Sequence, residues 1–397
     1  MNREQIKECG TQLAEFHEEF APLFYEKRQS ACARKMLHGL LLDDVRATAA
    51  QIGRSVPGAD LRGIQHFVGL SSWNHRPIIE KHQEVVARHI GHPEGVLVCD
   101  ESGFPKKGNK SVGVARQWCG RLGKRENCQV GVFVAYVSDK GHALVDEDLY
   151  LPREWADDTN RRREAGVPEE VEFRTKPQIA LERILQAHRG PLPFRWVTCD
   201  DLYGHSGEFR DGLDRAGLLF VAEVPCDTRV WTNRPRLRPP GGGQRGRPRT
   251  TWNLHPDAAD PTRVDKIAQE AEEWTHIQAR EGAKRPIRSA WAALRVYPWR
   301  DGLPGPERWL LIEHRHDGEK KYYLSNAGPD ASLRQMVQVA KREWFVEQCF
   351  RECKSEIGLD ELEVRKWRGW HHHMTMCMLA HGFVTIFRNR IKKGATS

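Results

Sequence analysis

Residues 96–102, VLVCDES, and residues 194–200, FRWVTCD, decide how this chain is to be read. Each contains a short apolar run that closes on an acidic residue, Asp100 in the first and Asp200 in the second. Runs this short, rich in Val and bounded by polar residues, read as buried strands rather than as helix turns. Working outward, CQVGVFVAYVSD and HALVDEDLYLP read as two more strands after the first run, and a helix is expected around Gln178–His188. Beyond the second run come an amphipathic helix from Glu208 to Arg215 and a strand, LLFVAEVP.

Three strands, helix, strand, helix, strand is the element order of an RNase H-like α/β fold, which predicts a mixed sheet with helices on both faces. The flanks are of other kinds. Residues 1–92 carry helical periodicity throughout (Leu13, Phe16, Phe20; Leu37, Leu40, Leu41, Val45; then SSWNHRPIIEKHQEVVARHI), giving an all-α N-terminal domain, either a plain bundle or a DNA-end-binding one. The core is expected over 93–227. A basic loop and β-rich insertion occupy 228–332, where SAWAALRVYPW, RWLLIEHRH and KKYYLSNA read as strands, and a helical closing part spans 333–397. From Thr228 to Thr250 there are seven Arg, four Pro and four Gly with no acid, so a flexible loop without a packed core is predicted.

The whole chain of 397 residues carries a formal charge of +8 although 29% of its residues are charged, so the excess must be regional. It suits either a soluble basic surface or a polyanionic partner. Ten cysteines form no paired framework, and Cys99 and Cys199 sit inside apolar runs, which predicts a reducing compartment. No apolar stretch approaches the ~20 residues of a membrane span, and the polar start MNREQIKECG is unlike a signal peptide. A soluble, intracellular protein is expected.

In an open α/β sheet, chemistry collects beyond the carboxyl ends of strands, so Asp100 and Asp200 are candidates to face one another. Two carboxylates that close cannot both stay ionised without a cation, and Mg²⁺, with Mn²⁺ as substitute, suits oxygen ligands. Either Asp taken alone reads more readily as a turn former or helix cap. A third acid lies in KREWFVEQCFRECKSEIGLDELEVR, where Glu347, Arg351 and Lys354 fall at i, i+4 and i+7 on one helical face. The alternative there is a salt-bridged surface helix, against which Trp344, Phe345 and Phe350 suggest a helix pressed onto a sheet.

Three stretches carry a resemblance: LVCDESGFPKKGNKSVGVARQWCGRLGKRENCQVGVFVAY, VTCDDLYGHSGEF and WFVEQCFRECKSEIGLDELEVRKWRGWHHHMTM. Together with the helical N-terminal region they resemble the insertion-sequence transposases of the DDE superfamily, in the branch with a β-rich insertion before the catalytic Glu. The resemblance implies that Asp100, Asp200 and Glu347 are the catalytic, metal-holding triad. The second position rests on an Asp-x-x-Tyr-Gly spacing completed by Tyr203 and Gly204, with Asp201 as adjacent rival. The Glu-to-Lys spacing of the family's signature helix is kept by Glu347 and Lys354, whereas Ala340 and Glu343 stand where its DNA-contacting Tyr and Arg would be. The implied reaction is cleavage of transposon ends by phosphodiester hydrolysis followed by strand transfer to target DNA, with two ions and a dimer on the DNA. A domesticated, non-cleaving DNA-binding protein and a repair resolvase on the same triad are the alternatives.

Seven cations, Lys106, Lys107, Lys110, Arg116, Arg121, Lys124 and Arg125, follow Asp100 against one acid, Glu126, which suits phosphate binding beside the triad. Arg351 and Lys354 join them as DNA-binding candidates. So do Arg245, Arg247 and Arg249, whose Arg-Gly-Arg-Pro-Arg order resembles a minor-groove hook. Trp291, Trp299 and Trp309 are expected in the core unless exposed for base stacking. His371, His372 and His373 cannot share one helix face and are expected to be DNA-facing or structural rather than metal ligands.

Overall fold

The computed structural model describes residues 3–42, 46–241, 250–280 and 287–394. The chain divides into two compact units: Met1–Arg195 with Trp344–Ser397, and Trp196–Glu343. This partition follows packing and cuts the chain at other places than 92, 227 and 332.

The first unit opens with helices α1 (Arg3–Glu18), α2 (Lys27–Leu40), α3 (Ala49–Ser55), α4 (Leu61–Gly69) and α5 (His75–Ile90). Their starts are written locally. Thr48, Asp60 and Asn74 each cap the helix that follows by accepting a backbone N–H, and α2 begins with a reciprocal cap between Glu26 and Gln29. Phe16, Met36, Ile52, Ile64, Ile78 and Ile79 are buried on their inner faces.

Strands β1 (Val96–Pro105), β2 (Ala115–Cys119), β3 (Lys124–Ser138) and β4 (Gly141–Leu149) follow. The long β3 pairs antiparallel with β1 and β4, and its first residues pair with β2. The apolar run FVAY at 133–136 is completely buried, as expected for a strand covered on both faces. Short helices α6 (Arg153–Ala156) and α7 (Thr159–Ala165) lead to α8 (Lys176–Arg189), which packs on β3 and β4. The strand β2 was absent from the sequence reading, where its residues belonged to the basic loop.

The second unit begins with β5 (Trp196–Cys199), α9 (Asp201–Gly204), α10 (Gly207–Arg215) and β6 (Leu219–Val224). Strands β5 and β6 run parallel; β6 then pairs antiparallel with β15, so the sheet of this unit is mixed. The insertion contributes β7 (Arg229–Trp231), a small ladder of β8 (Leu237–Arg238) with β9 (Asn253–Leu254), β10 (Thr262–Arg263), α11 (Val264–Glu270), β11 (Thr275–Arg280), β12 (Ile287–Arg300), β13 (Leu303–Pro304), β14 (Arg308–His314) and β15 (Lys320–Ser325). Within the unit the strand order is β10-β7-β12-β14-β15-β6-β5, and α12 (Leu333–Lys341) closes it.

Part of the Thr228–Thr250 segment departs from the expected coreless loop. Strand β7 pairs with β10 and β12, and its Val230 is fully buried in a cluster with Val224, Val264, Ile267, Val296, Leu310 and Leu324. Counting Arg, Pro and Gly over 23 residues hid one apolar pair, Val230–Trp231, which is enough to join a sheet edge. Arg245, Arg247 and Arg249 lie outside the described residues.

The chain then returns to the first unit with α13 (Trp344–Glu352), a π turn (Cys353–Ile357) and the long α14 (Trp367–Gly394). Helix α14 is buried on nearly every side, wrapped by α2, α4, α5 and β4. The architecture belongs to the mixed α/β class, and from β1 to β6 the expected strands and helices occur in the expected order, with β2 and the short helices α6, α7 and α9 added. None of the described helices is long and apolar enough to cross a membrane.

Candidate active site

Asp100 lies in the middle of β1 and not at its end, because the strand continues for five residues to Pro105. The reading of VLVCD as a strand closing on its acid is corrected accordingly. Residues Asp100 and Glu101 are the half-buried pair between two buried stretches of the strand. The Glu101 N–H donates to Asp100 Oδ1 at 2.6 Å, and Lys176 of α8 donates to Glu101 at 2.7 Å. Two residues on, Ser102 is buried and accepts a 2.7 Å hydrogen bond from Lys354.

Lys354 is therefore not on an open helical face with Glu347 and Arg351. It falls beyond α13 in the π turn, half-buried, with its ammonium 5.5 Å from the centre of the Phe104 ring and 5.7 Å from that of Phe350. A π turn widens the helix locally and re-aims the residues it carries, and such turns recur at functional sites. Burial lowers the pKa of Lys354, with Arg121 acting in the same direction and Asp360 and Asp100 opposing. Helix α13 packs on β1, β3 and β4. Val346, Cys349 and Phe350 are its buried face, and Glu347 and Arg351 are exposed on the other. The first unit thus brings the Glu347 helix onto the strand that carries Asp100.

In the second unit Asp200 directly follows β5 and is the N-cap of α9, accepting from the Tyr203 N–H at 3.4 Å. The Asp-x-x-Tyr-Gly spacing acquires a structural meaning here. Asp200 caps, Tyr203 is fully buried, and Gly204 lets the helix lie directly on β6. A Cβ at Gly204 would stand 1.8 Å from the carbonyl oxygen of Glu223. The rival Asp201 is exposed in the first turn of α9.

Around Asp200 the sequence reading missed a cluster of acids. Glu223 on β6 accepts from Lys321 of β15 at 2.6 Å, and Glu343 lies 4.0 Å from the same ammonium. Burial, and then the neighbouring charge of Glu223, push the Glu343 carboxyl up to about 8 despite Lys321, with Asp200 adding to the rise. Glu223 is likewise raised by burial, and Asp201 contributes. Lys321, with Lys341 and Arg315 also contributing, faces the carboxylates of Asp200, Asp201, Glu223 and Glu343, a crowding that a divalent ion on oxygen donors would relieve. No local pattern announced this cluster, since Glu223 and Glu343 are 120 positions apart.

The seven cations after Asp100 are not equivalent. Arg121 is ion-paired with Asp360, Lys124 with Glu126 at 3.4 Å, and half-buried Lys106 donates to the Leu362 carbonyl. Lys107, Lys110, Arg116 and Arg125 are exposed, with Arg125 reaching the Arg116 carbonyl at 3.2 Å. The histidine triplet is structural. His371 contacts Glu147 at 2.7 Å, His372 stacks on Trp73 with ring centres 3.6 Å apart, and His373 faces the Gly358 and Leu359 carbonyls. All three are buried, so none faces DNA, and burial lowers His372 and His373 to about 4. Trp291 is core, whereas Trp299 is exposed.

A match to the DDE superfamily endonucleases spans residues 19–286. The chain belongs to this family. It is also 32% identical over 194 residues to the probable transposase of insertion sequence element IS701 from Microchaete diplosiphon, a stretch that covers 48% of each chain. The chain thus spans about half the length of the curated relative it matches. The crystal structure of the NurA nuclease from Sulfolobus solfataricus aligns with 67% of this chain and 80% of its own at 10% identity and a TM-score of 0.27, too slight a likeness to bear on fold or function.

Proposed function

We propose that this family member is a metal-dependent transposase that cleaves transposon-end DNA and joins it to target DNA, with Asp100, Asp200 and Glu347 as its catalytic carboxylates. The observation that carries the reading is the packing of the Glu347 helix onto the strand of Asp100, with Lys354 held by Ser102 on that same strand. The likeness to the IS701 transposase supports it.

The three carboxylates would hold two divalent ions, Mg²⁺ with Mn²⁺ as substitute, which when bound activate an attacking oxygen and stabilise a leaving one. The chain's own residues do the rest. Lys354 offers a fixed positive charge beside Asp100 for a DNA phosphate. Arg351 and the exposed Lys107, Lys110, Arg116 and Arg125 lay down a basic surface for the DNA backbone, whose binding releases counterions. Lys106, Arg121 and Lys124 take a smaller part because each is already engaged. Arg245, Arg247 and Arg249 are proposed as a further DNA contact. Joining two transposon ends calls for two active sites, so a dimer on DNA in the bacterial cytoplasm is the expected working form.

The test is incubation of the full chain with DNA carrying the element's ends, target DNA and Mg²⁺. End-specific breaks followed by joined products are expected. Binding without breaks in Mg²⁺ and in Mn²⁺ would overturn the reading in favour of a non-cleaving binder, and breaks without joining would favour a resolvase.

A further inference from the structure

The interior of the first unit holds a second set of metal-ligating side chains, with a donor chemistry unlike that of the carboxylates. His142 comes from β4, Cys349 from α13 and His381 from α14. One nitrogen of each imidazole and the Cys349 Sγ all lie within 4.8 Å of one another. Cys349 and His381 are essentially inaccessible, whereas the side chain of His142 keeps 19% of its surface exposed.

Behind the two rings stands the Glu352 carboxylate. Its Oε2 is 3.1 Å from His381 Nε2 and 3.4 Å from His142 Nε2, and its Oε1 accepts from Gln348 at 2.7 Å. Arg388 adds a charge contact at 3.4 Å. A carboxylate only accepts, so both Nε2 atoms donate to it, and the lone pair of each neutral ring is left on Nδ1. The Nδ1 of His381 is buried and has no hydrogen-bond partner. Buried acceptors are nearly always satisfied, and one left without a donor requires an explanation. A buried ring that donates one nitrogen to a carboxylate and keeps the other free of a hydrogen bond, in a cluster with a thiol and a second imidazole, has the arrangement by which proteins orient metal-binding histidines.

We propose that His142, Cys349 and His381 bind a zinc-class divalent ion that clamps helix α13, with Glu352 orienting the two imidazoles. Nitrogen and sulfur donors select such an ion over Mg²⁺, which prefers oxygen. Bonds of about 2.0–2.3 Å in tetrahedral geometry place ligand atoms roughly 3.5 Å apart, so atoms that now lie within 4.8 Å of one another need only a small closure on binding. As the ion binds, the Cys349 thiol gives its proton to solvent and a thiolate–metal bond forms. The fourth position opens on the accessible His142 side and takes water. Cys349 is two residues after Glu347, about 200° around the helix. The clamp therefore grips the buried face of α13 while Glu347 stays exposed on the other, and its work is positioning.

The second such cluster, His75, Glu147 and His371, is less suited. Its rings are stacked at 11°, so their in-plane lone pairs run side by side, and both Glu147 oxygens are taken by Trp370 and His371.

The experiment is Co²⁺ titration of the metal-free full chain, read by absorption. A near-ultraviolet thiolate-to-cobalt band and strong tetrahedral visible bands are expected, saturating at a single equivalent and displaced by Zn²⁺. They persist in Asp100→Ala, which separates this site from the carboxylate one. They vanish in Cys349→Ser and weaken at least tenfold in apparent affinity in His142→Gln. Absence of a thiolate band in the wild-type chain overturns the proposal. So does a band unchanged in Cys349→Ser or, should that variant fail to fold by circular dichroism, unchanged in His142→Gln.

Discussion

Replacing Gly204 with Ala tests the packing that sets Asp200 in place. Gly204 ends the short helix α9 that Asp200 begins, and its backbone lies against β6. Gly204 is not among the residues with positive φ, so the substitution is not opposed by backbone conformation. Space opposes it: the new Cβ would meet the Glu223 carbonyl oxygen at 1.8 Å, its carbon at 2.9 Å and the Ala222 Cβ at 3.2 Å. Overpacking a core costs about 1–3 kcal/mol where side chains can adjust. Here the obstacle is the backbone of a paired strand, so the upper end applies. Displacing the helix also strains the cap at Asp200, worth roughly 1 kcal/mol. A total on the order of 4 kcal/mol corresponds to a fall in Tm of about 8–16 °C for a domain of 150–250 residues. Thermal unfolding followed by circular dichroism measures it. Gly207→Ala is the control, because its Cβ meets nothing closer than Arg300 at 3.7 Å at the first position of α10. That variant should stay within about 0.5 kcal/mol of wild type. A Gly204→Ala protein as stable as the control would refute the reasoning that Asp-x-x-Tyr-Gly is in part a packing motif.

Asp100→Ala, Asp200→Ala and Glu347→Ala should each abolish cleavage while leaving DNA binding intact, with Asp201→Ala as control; full cleavage by any of the three removes that residue from the triad. Lys107→Ala with Lys110→Ala should reduce the slope of log affinity against log salt by about 1.8, at 0.9 per phosphate contact, whereas Arg121→Ala, paired with Asp360, should barely change it; equal effects would mean that the pairing does not persist on DNA. Glu343 supplies a pH test in chelator. Its folded carboxyl is raised to about 8 from an ordinary 4.5, so the stability linked to its proton is complete below 4.5 and is lost as pH rises through 8. Glu343→Gln should flatten that loss, and parallel Tm profiles for variant and wild type between pH 5 and 8 would show that its burial is not felt.

The strands and helices of the core were legible because each is a local pattern. VLVCD, WVTCD and LLFVAEVP are short Val-rich runs, and α5 and α8 carry their own caps at Asn74 and Thr175. The closing helix was legible as a helix but not as the center of a layer, since only its neighbours show why His371, His372 and His373 can all be buried. Each finds a partner on a different element: Glu147 on β4, the Val68 and Trp73 carbonyls, and the Gly358 carbonyl. Three adjacent histidines look polar in a sequence and become core once each ring has at least one hydrogen-bond partner from another element.

Charge was the least legible property, because the partner of a charge is rarely nearby in sequence. The stretch after Asp100 counts seven cations against one acid, yet Asp360, 239 positions away, neutralises Arg121, and the Leu362 carbonyl engages Lys106 from 256 positions away. The same blindness ran in the opposite direction at Asp200. Nothing near it in the chain foretold Glu223 and Glu343, which crowd around Lys321. Glu343 stands at the position where the resembling transposases carry an Arg, and a carboxyl there reverses the local sign of charge. An Arg at that position would add a further cation to Lys321 and Lys341 and oppose any ion on Asp200. With Glu343 in its place the corner instead gains another oxygen donor whose own proton is held by burial until a cation replaces it. The departure from the signature therefore weakens the argument for a DNA contact at residue 343 and strengthens the one for cation binding beside Asp200.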